Sequence, residues 1–127
     1  MVKDRFTKGK AYIEFASKLD INSPEDQPHI ISRNYYCMYH IARAVVFHTS
    51  RRDIDEHKAL PKILSDIISS LGEKLARWRI ERDTMDYSPY LPHGVDSICI
   101  ESIHDAKEVL VLCEQYLKER GVDIENC

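Results

Sequence analysis

Arg33, Tyr36, His40, Arg43 and Phe47 follow one another at intervals of three and four residues. On a helix that spacing gathers side chains along one face. Guanidinium forks match the oxygens of phosphates and carboxylates in pairs, and aromatic rings offer faces to planar groups. An imidazole can take up or release a proton near neutral pH. A face of this make-up suits an interface, or a pocket for an anionic or planar ligand. At about 100° per residue, Met38 and His40 differ by about 200°. The stripe therefore points away from Ile31, Tyr35, Met38, Ala42 and Val45, which share the same spacing and mark the core side. Arg33 and His40 diverge by only about 20° and lie about 10 Å apart along the axis. Three readings stay open for the polar stripe. The helix is buried on both sides, with Arg33 and His40 met by neighbouring carboxylates or carbonyls; or the stripe is a dimer face; or it binds a ligand or does catalysis.

A second position stands out downstream. Leu75, Trp78, Arg82 and Met85 keep an apolar spacing, so Arg82 falls where a core residue is expected. A guanidinium there needs a partner, because an unpaired buried charge is expensive. Asp86, one turn on, supplies a local one. The functional alternative brings Arg82 into one groove with Arg33 and His40. Metal and nucleophile chemistry find less support. The six histidines form no H-E-x-x-H pair, and His104 with Glu108 gives only two ligands one turn apart; no metal and no cofactor is expected. There is no glycine-rich phosphate loop and no G-x-S-x-G elbow.

The elements that must position these residues are helices. Apolar periodicity predicts a first helix over about Lys3 to Leu19, with Ala11, Tyr12, Phe15 and Leu19 on one side. Asn22 to Asp26 breaks it and offers Ser23 as an N-cap ahead of Pro24. The second helix runs from near Pro28 to about Thr49. A polar connection, Arg51 to Glu56, leads to a third helix beginning near Pro61, a residue tolerated in a first turn. Ser70-Leu71-Gly72-Glu73 has the form of a capping box and starts a fourth helix at Leu71, running to about Tyr87. Ser88 to Gly94 is the longest irregular stretch. The last helix, about Asp96 to Arg120, carries Cys99, Ile103, Ala106, Leu110, Cys113 and Leu117 along one seam and stops at Gly121. No strand-like alternation competes with these patterns. The expected fold is all-α: one domain over residues 1–127, an antiparallel up-and-down bundle of four to five helices.

Bulk properties agree with that picture. The 127 residues, 43% hydrophobic and 31% charged, can bury a core without disulfides or metal. No stretch reaches the length of a membrane span and the start lacks an apolar leader, so a soluble cytoplasmic protein is expected. The four cysteines have no paired spacing and read as reduced thiols. The net charge of −3 is unevenly spread. Residues 28–52 hold four arginines and no acid, whereas residues 95–127 hold eight acids against Lys107, Lys118 and Arg120. The basic part could receive a phosphate-bearing ligand or face a partner.

The run Ser32-Arg33-Asn34-Tyr35-Tyr36-Cys37-Met38-Tyr39-His40-Ile41-Ala42-Arg43-Ala44 resembles the S-R-x-Y-Y-A-M-F-H-A-A-R-A helix of the HEPN superfamily. Arg82-Asp83-Thr84-Met85-Asp86-Tyr87 is similar to the R-x-x-A-D-Y element that follows it in the same branch. Order, spacing and length agree over nearly the whole chain. The resemblance implies a small helical bundle, commonly a homodimer, often paired with a minimal nucleotidyltransferase in a toxin–antitoxin-like module. Active members are metal-independent ribonucleases whose arginine stabilises the phosphorane and whose histidine, four to six residues later, moves protons. Here no histidine follows Arg82-Asp83 at that distance; Asp86 and Tyr87 stand in its place, and neither substitutes well at neutral pH. Arg33-Asn34 and His40 do satisfy the spacing, but in the second helix. The leading expectation is a nucleotide- or RNA-phosphate-binding partner of a nucleotidyltransferase. Arg33, Asn34, Tyr36, His40, Arg43, Arg82, Asp86 and Tyr87 would bind, and Arg33, His40 and Arg82 are the catalytic candidates. The alternatives are an active metal-independent endoribonuclease and a purely structural dimerisation module.

Overall fold

A computed structural model describes residues 2–87 and 95–124, with Tyr87 described by its backbone alone. Five helices and no strand are found among them: α1 (Val2–Ser17), α2 (Gln27–Ser50), α3 (Leu60–Ile67), α4 (Leu71–Tyr87) and α5 (Asp96–Glu119). The fold is an all-α bundle, as the periodicity predicts. The irregular stretch expected at Ser88 to Gly94 lies outside the described residues, as does Cys127.

α2 is the central element and packs against each of the other four helices. Every residue from Cys37 to Val46 is buried. The predicted core stripe, Ile31, Tyr35, Met38, Ala42 and Val45, is wholly shielded, and neighbours cover much of the opposite face too. A helix enclosed on both sides is the one on which a bundle is assembled, and its polar residues must then find protein partners.

α1 turns out rotated from expectation. Its buried line is Phe6, Gly9 and Ala16, with Ile13 partly covered, whereas Ala11 is exposed and Phe15 is 50% exposed. The reason is close approach. A Cβ on Gly9 would lie 2.7 Å from Ile41 Cδ1 and 3.0 Å from the Cys37 carbonyl oxygen, so glycine lets α1 settle onto α2 there. Apolar periodicity cannot register a glycine as a contact residue. Ser23 does not cap α2 either. That helix begins four residues later, behind Asp26, with Pro28 in its first turn and no side-chain cap bond. Ser23 instead offers its carbonyl to the amides of Asp26 and Gln27 in a separate turn.

The end of α5 follows the glycine rule. Gly121 has φ of 78°, its N–H reaches the Lys118 carbonyl, and the Val122 N–H reaches that of Leu117. This pair of bonds is the Schellman arrangement, satisfying carbonyls that the helix end leaves free. Cys37, Cys99 and Cys113 are buried free thiols in the core.

Candidate functional site

The polar stripe of α2 is met from three directions. α1 brings Arg5 and Tyr12, the connection after α2 brings Asp53 and His57, and α4 brings Arg82. Tyr12 stacks against both Tyr36 (centroids 5.6 Å apart) and His40 (5.5 Å, planes within 4°). Arg5 Nη1 lies 3.4 Å from His40 Nδ1. A guanidinium can only donate, so Nδ1 accepts and the ring proton sits on Nε2. Arg43, only 7% exposed, makes a two-pronged bond to Asp53, Nε to Oδ1 at 3.1 Å and Nη2 to Oδ2 at 2.6 Å. Arg5 adds a second, longer contact to the same carboxylate at 3.7 Å.

Arg82 occupies the far side of Tyr36. Its Nη1 donates to the Tyr36 hydroxyl at 2.6 Å and its Nη2 to Asp83 at 2.6 Å, and the guanidinium stands over the rings of Tyr35 and Tyr36. Asp86, the expected i+4 partner, is 3.9 Å from Nε, too far for a hydrogen bond, so the buried Nε–H has none among the described residues. His57 lies flat on Tyr39 (4.1 Å, planes within 5°) and shares a hydrogen with the Tyr35 hydroxyl through Nδ1. The Tyr39 hydroxyl donates to the Asp55 carbonyl. Three α2 side chains, Tyr35, Tyr39 and Arg43, thus hold the residue 53–57 connection down over the helix.

Cations outnumber the carboxylates they touch. Arg5, Lys8, Arg43 and Arg82 surround His40 and Tyr36, against Asp53 and Asp83, with Asp86 further off. Burial, followed by Lys8, Arg5, Arg43 and His57, pushes His40 down to about 4, so its imidazole is neutral at physiological pH. His57 is lowered in the same sense, by burial and then by Arg82 and Arg79. The Arg43 hydrogen bond holds Asp53 below the usual carboxylate range. The cluster is therefore charged in its arginines and uncharged in both its histidines.

The remaining candidates lie elsewhere. Arg33 turns toward α1, its guanidinium 4.9 Å from the centre of the half-exposed Phe15 ring. Together with Lys8, Ala11 and Tyr12 these two line an open, largely apolar groove of about 280 Å³. Tyr12 belongs to both this groove and the ring cluster, so Arg33 and Arg82 stand at opposite ends of one aromatic row. Asn34 is not part of it. It is fully buried and gives its amide N–H to Ser102 of α5 at 3.1 Å. The side chain of Tyr87 lies outside the described residues. On the acidic side, His104, Asp105 and Glu108 come together, but Lys74 Nζ sits 3.2 Å from both carboxylates and already supplies a cation there.

Tyr12 was read only as part of the apolar side of α1, and Arg5, Tyr39, Asp53 and His57 were not singled out by sequence reasoning. Tyr39 lies inside the motif run, next to His40 and three residues from Tyr36, and its i+4 step from Tyr35 was a usable signal. The others reach the cluster only through tertiary packing. Comparison of the chain with protein-family models, curated proteins and solved structures finds no match.

Proposed function

We propose that this chain is a HEPN-like bundle that binds a nucleotide or an RNA phosphate and serves as the helical partner of a minimal nucleotidyltransferase in a toxin–antitoxin-like module. The observation that carries the reading is the Arg33–Tyr12–Tyr36–Arg82 row, flanked by Arg5, Lys8 and neutral His40. Aromatic faces receive bases by stacking, at about 1–3 kcal/mol per base, and guanidiniums donate to phosphate oxygens in pairs. The open groove between Phe15 and Tyr12 offers the entry, with Lys8 and Arg33 at its sides. The motif resemblance points to the same ligand class, a homodimeric assembly and a nucleotidyltransferase beside it.

Binding is favoured over cleavage by the state of His40. A ribonuclease must protonate a leaving oxygen, and an imidazole held at about 4 carries almost no proton at pH 7. Isothermal titration with AMP, ATP and a short single-stranded RNA tests the proposal. Saturable binding that weakens with added salt is expected, together with a loss of about tenfold or more in an Arg33→Ala/Arg82→Ala variant. No binding, or binding unchanged in that variant, would overturn it. RNA cleavage that survives EDTA and disappears in His40→Ala would establish the ribonuclease instead. Sedimentation of the purified chain reports the oligomeric state.

A further inference from the structure

Away from the aromatic row, a cavity of about 310 Å³ opens between the C-terminal half of α1, the following turn, α2 and α5. Ile13, Leu19, Ile21, Ile30 and Ile103 form most of its wall. The exposed residues Ser17 and Lys107 stand at its rim. Asn34 also lines it and is the polar group of its buried part, at 0% exposure.

The orientation of that amide is fixed by its neighbours. Ser102 Oγ–H donates to the Cys99 carbonyl at 2.7 Å, so its oxygen must accept from Asn34 Nδ2 at 3.1 Å. Asn34 Oδ1 is then left as a buried acceptor to which no described group of the protein donates. Flipping the amide would set its oxygen against the Ser102 oxygen, whose hydrogen is already committed. A buried acceptor in apolar surroundings gains from any donor that reaches it. An apolar cavity of about 150 Å³ is enough to hold benzene, so this one has room for a bicyclic ring.

We propose that this cavity is a binding site for a small, mainly apolar molecule carrying a single hydrogen-bond donor, which Asn34 Oδ1 receives. The isoleucine walls supply affinity without direction, and Asn34 selects the donor. The site is separate from the nucleotide groove and does not depend on that reading.

Indole and indene distinguish the proposal from nonspecific apolar binding, because they share a shape and differ in the N–H. Methyl NMR of the full chain should show saturable shifts at Ile30 and Ile103 with indole. Indene should bind about tenfold more weakly, the effect of one hydrogen bond to a buried neutral acceptor. In Asn34→Leu, which keeps the branching of the side chain and removes the acceptor, indole should fall to the level of indene. Ile103→Trp, which fills the cavity from its wall, should abolish both and serves if Asn34→Leu does not fold. Equal binding of the two compounds to the unaltered chain, shifts only at the Ala11 methyl of the nucleotide groove, or no saturable shift at all would overturn the proposal. So would indole binding that persists in Ile103→Trp.

Discussion

His40 and Arg43 sit one turn apart on α2 and solve the same burial problem in opposite ways. Arg43 keeps its charge because Asp53 meets it with both oxygens, whereas His40 gives up its charge to burial and to the cations beside it. Replacing Asp53 by Asn should cost about 1–3 kcal/mol in denaturant unfolding, because a mostly buried guanidinium loses its counter-charge. Asp53→Asn with wild-type stability would mean that the pair contributes nothing. The histidine sets a pH dependence whose sign is definite. Its folded value of about 4 lies below the ordinary 6.5, so between those limits the unfolded chain binds more protons than the folded one. Stability is therefore level above about pH 6.5 and falls as the pH drops toward 4, with His57 acting in the same direction. In a His40→Phe variant, thermal melts across that window should show a shallower decline; an unchanged slope would place the effect elsewhere.

Helices were the most legible level, and contacts between them the least. Periodicity placed all five within a few residues, and Gly121 announced the end of α5 because a left-handed C′ position favours glycine. The rotation of α1 was hidden, since its tightest contact is made by Gly9, which contributes backbone rather than apolar surface. The site was half legible for a related reason. Residues sharing α2 could be grouped by angle, but Arg5, Tyr12 and His57 arrive from distant segments and carry no local signature. Asn34 shares a helix with the stripe yet faces α5, so nearness to Arg33 in sequence misled. The junction of α3 and α4 yields a prediction of the same kind. A Cβ on Gly72 would fall 1.7 Å from Ser65 Oγ and 2.2 Å from the Pro61 carbonyl oxygen. Gly72→Ala should therefore destabilise by about 2 kcal/mol or more, although alanine is the better helix former by about 1 kcal/mol. Adding Ser65→Ala should rescue it only in part, because the Pro61 contact is backbone. Full rescue, or a raised Tm in Gly72→Ala alone, would show that the helices are not packed this closely.

Across the whole molecule, charge and burial are divided between two sides of α2. The α5 side is acidic; Trp78 Nε1 and Lys74 bind Asp105, and despite its burial these bonds hold its carboxyl below the usual range. The core thiols are shielded from solvent. Burial pushes Cys37 and Cys113 up to about 12 and Cys99 to about 11. All three should resist alkylation in the native state and react on unfolding, as mass spectrometry after iodoacetamide treatment would show; rapid native labelling of any of them would contradict this packing. No helix among the described residues is long and apolar enough to cross a membrane. The other side of α2 gathers arginines around neutral imidazoles and half-covered rings, and an arriving phosphate would supply the negative charge that His40 lacks. The most direct test is an NMR titration of the His40 ring, free and with saturating AMP or short RNA. The account predicts a midpoint of about 4 in the free chain and a rise of about one unit or more with ligand bound, the effect of an anion within a few ångströms. A midpoint that stays put at saturation would contradict it.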